Sequence, residues 1–185
     1  MKRPLFVVGA VALVFGVWLL TSASAQETPV CGPPGEEVPA TIVGSGNIHC
    51  TPGDDVIVGS AEADRISGGP GNDELAGLGG NDSLAGGPDD DTLIGMGGND
   101  DISGRPGADT GFGGPLNDTM SGDAGDDALF GNFGSDVISG GPGNDFIDGD
   151  NPSPPPPGGP PFPEGGNIDT CMGGPGENQI VNCEA

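Results

Sequence analysis

The sequence predicts an all-β solenoid, in which the chain winds into a stack of short coils. A nine-residue period runs without a gap from Cys50 to Asp148 and divides this stretch into eleven repeats. In all eleven repeats position six is Asp, in ten position one is Gly, and in ten position eight is apolar. One apolar residue in nine cannot form a core alone, so the coils must stack these residues into a continuous ladder.

Each repeat divides into a turn and a very short strand. The turn is rich in glycine, as in GGPGNDELA from Gly68 to Ala76, and glycine adopts positive φ at no steric cost. The three residues after the Asp alternate sides, as they do in a strand. We therefore expect position eight alone to face inward.

A turn of this composition suits a hard cation. When it curls tightly, its carbonyl oxygens point inward beside the Asp carboxylate, and calcium binds about six to eight such oxygens. The pattern therefore predicts calcium as the cofactor. The candidate ligands are the aspartates at position six: Asp55, Asp64, Asp73, Asp82, Asp91, Asp100, Asp109, Asp118, Asp127, Asp136 and Asp145.

These repeats resemble the nonapeptide G-G-x-G-x-D-x-U-x, with U apolar, of haemolysin-type (RTX) calcium-binding proteins. The resemblance implies a parallel β-roll with two nonapeptides in each turn. It also implies that calcium lies between the loops of successive turns on each flank. The carboxylates at position six and the loop carbonyls would be its ligands.

A second regularity agrees with two repeats per turn. Position three is proline at Pro52, Pro70, Pro88 and Pro106, which lie eighteen residues apart. Alternate aspartates would then stack on opposite flanks, six on one and five on the other. Sites between neighbours number five and four, so the regular repeats would hold several calcium ions and at most about nine.

Two departures from the pattern are expected to disturb the coil. Leu116 stands at position four, where the pattern has glycine, and we expect it to place an apolar side chain in a calcium loop. Gly111 stands at position eight and leaves a gap in the apolar ladder. We expect the neighbouring Phe112 to fill that gap.

The N-terminus reads as a targeting segment. Lys2 and Arg3 precede an apolar stretch over residues 5–20, and Ala-Ser-Ala follows at 23–25. This order predicts a signal peptide over residues 1–25, cleaved between Ala25 and Gln26, and hence a secreted, extracellular protein. The alternative is an uncleaved membrane anchor, because the stretch is near the lower spanning limit of about 17 residues. With the RTX resemblance, the leader points to a bacterium using the general secretory route.

Four cysteines in an exported chain imply disulfides, and three pairings are possible. The simplest joins Cys31 to Cys50 and Cys171 to Cys183, because each pair then brackets one end of the coil. A zinc site is the rival reading. It is disfavoured because the spacings do not match and His49 is the only histidine.

The flanks of the calcium-binding repeats (residues 50–148) read as caps. Residues 26–49 form an N-terminal cap in which Ile48 adds a rung without an Asp. Over residues 149–166 a further repeat begins and is interrupted by a Pro/Gly-rich loop. Residues 167–185 form a C-terminal cap, whose last unit has Asn178 in the Asp position.

Composition and length exclude several function classes. Acidic residues outnumber basic ones 28 to 4, giving a net charge of −24, so there is no basic footprint for nucleic acid. We expect no membrane association after signal cleavage. We also expect no enzyme, because residues 26–49 are too few for a catalytic domain and the single His has no nucleophile pattern around it.

The prediction is a secreted calcium-binding protein that folds on calcium loading. Its expected role is structural or adhesive, with a cell-surface or matrix component as a partner. One alternative is an ice- or surface-binding solenoid, which needs a regular polar ladder that position seven does not supply. Another is a non-catalytic partner of a secreted enzyme.

Overall fold

The computed structural model describes residues 41–50, 52–150 and 169–183, and these form a β-solenoid. The described strands are β1 Thr41–Val43, β2 Asn47–His49, β3 Val56–Ser60, β4 Arg65–Ser67, β5 Glu74–Gly79, β6 Ser83–Ala85, β7 Thr92–Gly97, β8 Asp101–Pro106, β9 Thr110–Pro115, β10 Thr119–Ala124, β11 Ala128–Phe133, β12 Val137–Ser139, β13 Phe146–Asp148, β14 Thr170–Met172 and β15 Gln179–Val181. Within these ranges no helix long and apolar enough to cross a membrane occurs. The predicted leader lies outside the described residues.

Two parallel sheets make up the solenoid. The odd-numbered strands form one sheet in the order β1-β3-β5-β7-β9-β11-β13-β15, and the even-numbered strands form the other, from β14 to β2. Successive strands therefore alternate between sheets. In the repeats, paired residues lie eighteen positions apart, as Leu75 pairs with Leu93. The predicted parallel β-roll with two repeats per turn is confirmed, and β3 to β13 correspond to the eleven repeats.

The apolar ladder lies between the two sheets, as predicted. The buried side chains are Ile48, Ile57, Ile66, Leu75, Leu84, Leu93, Ile102, Met120, Leu129, Ile138 and Ile147, none more than 2% exposed. Because each coil contributes only two such residues, every one must pack against the coils above and below it. The ladder thereby makes each coil depend on its neighbours.

Of the three residues after the Asp, only position eight is buried in every repeat, as predicted, and the alternation continues on either side of them. In the repeat around β5, Asp73, Leu75 and Gly77 are all buried, while Glu74 between them is exposed. The strand alternation thus extends in both directions from the apolar residue. It places the carboxylate of position six and the glycine of position one inside the coil, on either side of the ladder.

The gap at Gly111 is not filled by Phe112, contrary to expectation. A Cβ on Gly111 would lie 2.9 Å from both Cδ2 of Leu129 and Cε of Met120. Leu129 reaches in from the next coil, and the long side chain of Met120 reaches across from the other sheet. Phe112 remains half-buried on the outer face, stacked on Phe130 with ring centroids 5.0 Å apart.

The C-terminal end continues the solenoid after an insertion. Ile138 pairs with Cys171 and Ile147 with Ile180, each thirty-three residues apart instead of eighteen. Cys171 and Cys183 form the predicted disulfide, which ties the last two strands of the described chain together. Cys50 is also disulfide-bonded; its predicted partner, Cys31, lies outside the described residues.

Candidate metal centre

The position-six aspartates are joined along each flank by their own backbone. The N–H of Asp82 donates to Oδ1 of Asp100 at 2.8 Å, and Asp64 donates to Asp82 in the same way. The same bond links every other pair of flank neighbours from Asp55 to Asp145. Each aspartate from Asp73 to Asp145 therefore accepts a backbone N–H from the coil before it, and all eleven are at most 3% exposed.

The second carboxylate oxygen has a different environment. In nine of the repeats Oδ2 is buried and accepts no hydrogen bond within the described chain: Asp73, Asp82, Asp91, Asp100, Asp109, Asp118, Asp127, Asp136 and Asp145. Asp64 differs, because the N–H and Oγ of Ser60 donate to its Oδ2 at 2.7 and 2.9 Å. A buried charged oxygen without a donor costs several kcal/mol or more unless something compensates it.

Burial raises the pKa of eight of these carboxyl groups. The backbone hydrogen bond to Oδ1 lowers the pKa in part, and most of these groups also have neighbouring aspartates that raise it further. The pKa rises to about 7 in Asp91 and Asp118 and to about 6 in Asp73, Asp109, Asp127 and Asp136. It is also raised in Asp82 and Asp100. The interior is therefore unfavourable to the charged form unless a cation shares it.

Position one is glycine because the carboxylate occupies the adjacent space. A Cβ on Gly77 would overlap Oδ2 of Asp82, five residues later, and would stand 2.9 Å from the carbonyl oxygen of Gly95. The same arrangement surrounds Gly95, where the oxygens belong to Asp100 and Gly113. A carboxylate oxygen and a backbone carbonyl oxygen thus approach the same small space in successive coils.

The last coil shows how a neutral residue satisfies this site. Asn178 occupies position six, and its Oδ1 accepts the N–H of Asp145 at 2.9 Å, as an aspartate would. Its Nδ2 donates to the carbonyl of Gly174 at 2.9 Å. The amide nitrogen can therefore donate to the carbonyl oxygen of position two. A carboxylate places a second oxygen beside that carbonyl, and neither oxygen can donate.

This donor set suits a hard cation. Within the described ranges, no group of three or more His, Cys, Asp or Glu side chains is placed to hold a metal ion. Any ion would therefore take backbone carbonyls together with one or two carboxylates, and all of these ligands are oxygens. Calcium accepts such irregular, oxygen-only coordination, whereas zinc and other soft metals prefer nitrogen and sulfur.

The comparison with known families agrees with this chemistry. The model of the RTX calcium-binding nonapeptide repeat matches four times, at residues 51–84, 77–111, 85–120 and 112–147. The matches together cover more than half of the chain. The chain belongs to the RTX calcium-binding repeat family. Repeats of this family bind calcium. No curated protein matches the chain.

The departure at Leu116 leaves the RTX loop intact. Its side chain is 59% exposed and points away from the loop interior, so the expected intrusion into a calcium loop was wrong. Its backbone has a φ of 83°, in the left-handed region, and Asp89 at position four of another repeat has a φ of 85°. The cost is backbone strain of about 1–2 kcal/mol, and the carbonyl oxygen of Leu116 still lies against Gly134 of the next coil, as that of Gly107 lies against Gly125.

The predicted ligand set omitted one aspartate of the RTX array, which lies in the repeat that the insertion interrupts. Asp169 is 1% exposed, and its Oδ1 accepts the N–H of Asp136 at 2.8 Å. Deleting residues 152–166 would bring Gly149 to position one, Asp169 to position six and Cys171 to position eight. The signal was therefore present but lay on both sides of the proline-rich insertion.

A second row of hydrogen bonds supports the loops from outside. At position five, Oδ1 of Asn81 accepts the N–H of Asn99 at 3.0 Å, and Oδ1 of Asn99 accepts that of Asn117. In this outer row the side-chain oxygen accepts an N–H from the following coil. The direction is opposite in the row of buried aspartates, whose oxygens accept from the preceding coil. The exposed Asn and Asp residues before the buried Asp thus satisfy loop N–H groups, and the buried oxygens remain available.

Proposed function

We propose that the buried position-six aspartates are the calcium ligands of this protein. The proposal covers the eleven predicted residues, from Asp55 to Asp145, and extends to Asp169. The observation that carries it is the row of buried Oδ2 atoms that accept no hydrogen bond in nine repeats. Calcium, when bound, would supply the positive charge that these carboxylates lack.

Each carboxylate has two separate tasks in this proposal. Oδ1 holds the coil together by accepting a backbone N–H from the preceding coil, and Oδ2 with nearby carbonyl oxygens offers a ligand set. Including Asp169 adds a gap between Asp136 and Asp169 on one flank, which raises the upper limit from nine ions to ten. Asp64 is expected to be the weakest of the proposed calcium ligands, because Ser60 already donates to its Oδ2.

The wider role that fits these properties is a secreted structural or adhesive element. With a net charge of −24, the chain repels itself and has little apolar surface to offset that repulsion. Folding would therefore depend on calcium. Extracellular modules bind calcium with dissociation constants of about 10⁻⁴–10⁻³ M. The leader ending at Ala25 supports export, and the described solenoid supports a rod-like surface.

Localisation and adhesion are tested together on source cells. We expect the protein in culture medium or on the cell surface, with Gln26 as its first residue by N-terminal sequencing. Fluorescently labelled mature protein should bind source cells or their matrix in millimolar calcium and leave them in chelator.

The control is a labelled Asp82→Asn/Asp100→Asn variant, which should bind cells less well at the same calcium concentration. An intracellular protein that retains Met1 would contradict the proposed export. Binding that is equal in calcium and in chelator would contradict calcium-dependent adhesion, even if calcium still binds the purified protein.

A further inference from the structure

An apolar groove of about 430 Å³ lies on the outer surface of the eight-stranded sheet and its adjoining loops. Ile94, Met96, Phe112, Pro115 and Phe133 contribute side chains to it. Met96 is 43% exposed. The groove lies outside the calcium-ligand row, because its side chains point away from the coil interior.

The described part of the seven-stranded sheet differs from this surface at the equivalent position. At position nine, where the groove has Ile94 and Phe112, the seven-stranded sheet presents Ser67, Ala85, Ser103, Ser121 and Ser139. The apolar residues of the groove are therefore not a consequence of the repeat itself. At position nine of the eleven repeats the bulky apolar residues lie on the eight-stranded sheet, and such a patch is typical of a surface that another segment covers.

The groove leads towards the point where the chain leaves the described solenoid. Asn132, which lines the groove, stands one coil before Asp150 at position two. Phe130 pairs with Asp148 in the neighbouring strand, and Asp150 is the last described residue before residues 151–168. The chain re-enters at Asp169, so both ends of this segment lie on the coils beyond the groove.

The composition of the segment matches an aromatic groove. Residues 151–168 read NPSPPPPGGPPFPEGGNI, with eight prolines, Phe162 and a single charge at Glu164. Proline-rich runs favour an extended helix that docks against aromatic side chains at little entropic cost. Half of the segment spans about 28 Å at 3.1 Å per residue, whereas coils are only about 4.8 Å apart.

We propose that residues 151–168 dock into the groove of their own chain, with Phe162 against the side chains of Met96, Phe112 and Phe133. A second copy of the chain is the less favourable occupant, because it would bring another net charge of −24 against this surface. The nearly neutral segment brings only Glu164. The proposal does not depend on calcium ligation, although the test is made in calcium.

A single-tryptophan reporter tests the docking. The sequence has one tryptophan, Trp18, and no tyrosine, so a Trp18→Phe/Phe162→Trp chain reports on position 162 alone. In millimolar calcium we expect emission at shorter wavelength and severalfold weaker acrylamide quenching than in a free peptide of residues 151–168 with the same Trp. Adding Met96→Ser should reverse both effects.

The matched control is Val137→Ser on the opposite sheet, since Val137 is 44% exposed and Met96 43%. It should leave the emission unchanged, and circular dichroism should show that both variants keep the solenoid. Emission equal to that of the free peptide would overturn the proposal, as would equal effects of the two substitutions. A blue shift present only in a dimer by sedimentation would also overturn it and assign the groove to a second copy.

Discussion

The backbone N–H of Asp82 donates a 2.8 Å hydrogen bond to Oδ1 of Asp100, one coil further along the same flank. Oδ2 of Asp100 is turned towards Gly95 and accepts no hydrogen bond in the described chain. One carboxylate therefore joins two coils through one oxygen and presents the other as a ligand. This division explains why Asp occupies position six in all eleven repeats.

Replacing Asp82 by Asn should separate folding from calcium binding. The amide keeps Oδ1 for the N–H of Asp64, and its Nδ2 should donate to the carbonyl of Leu78, as Asn178 does to Gly174. The substitution removes a buried, charged oxygen that accepts no hydrogen bond. It should therefore stabilise the calcium-free fold by about 1–3 kcal/mol. Circular dichroism in chelator should show more β-structure than the parent chain, and calorimetry should show fewer calcium ions bound.

Asp82→Ala is the control for that experiment. It removes the ligand and also the acceptor for the N–H of Asp64, so it should lose calcium and gain no stability in chelator. If Asp82→Asn proved less structured in chelator than the parent chain, the account of Oδ2 as an uncompensated oxygen would be wrong.

Asp118→Ala should weaken calcium binding as much as Asp82→Ala does. The sequence alone predicts a smaller loss, because Leu116 departs from the pattern in the same loop. In the structure Leu116 is exposed and its backbone is glycine-like, so the loop of Asp118 is intact. Calorimetric titration of the two variants decides between these expectations: a clearly smaller loss at Asp118 would restore the first one.

The calcium-free fold should become more stable as pH falls. Burial raises the pKa of Asp91 and Asp118 to about 7 and of Asp73 to about 6. The folded state therefore binds more protons than the unfolded state, and stability is lost as pH rises through about 6–7. In metal-free buffer the β-type dichroism should be greater at pH 5 than at pH 8.

Calcium affinity should follow the opposite trend. Calcium binds the ionised carboxylates, so protonation at pH 5 should weaken binding relative to pH 8. Calcium titrations at the two values, each made on the same chain, provide the comparison. If the β-type dichroism of the metal-free chain increased with pH, the assignment of raised pKa values to the buried aspartates would be wrong.

Gly77→Ala should disrupt its coil, whereas Gly97→Ala should be tolerated. A Cβ at Gly77 would overlap Oδ2 of Asp82, but the nearest atom to a Cβ at Gly97 is the carbonyl oxygen of Leu78 at 3.6 Å. Thermal unfolding in calcium should show a lower midpoint for Gly77→Ala alone. Equal midpoints would show that the space beside Asp82 is not restricted.

The sequence predicted the fold because the same pattern of residue types recurs in eleven repeats. The spacing of Asp, Gly and the apolar residue determined the coil length, and the eighteen-residue spacing of Pro52, Pro70, Pro88 and Pro106 indicated the two sheets. The disulfide between Cys171 and Cys183 was also predicted correctly. These features depend on local spacing, which a stacked coil converts directly into contacts.

The features that the sequence did not reveal depend on direction or on distant contacts. Phe112 was expected to fill the gap at Gly111, but Met120 on the opposite sheet does so with Leu129. The side chain of Leu116 was expected inside its loop and lies outside. Asp169 lies beyond the insertion, in the interrupted repeat, and was left out of the predicted ligand set.

The dependence of folding on calcium is the central claim, and a calcium titration of the mature chain at pH 7.5 tests it most directly. Circular dichroism and sedimentation should be recorded in excess chelator, in millimolar calcium and in millimolar magnesium. The account predicts a largely disordered chain in chelator, a compact β-structure in calcium, and poor substitution by magnesium, which requires tighter geometry. A compact β-structure in excess chelator, unchanged by calcium, would contradict it.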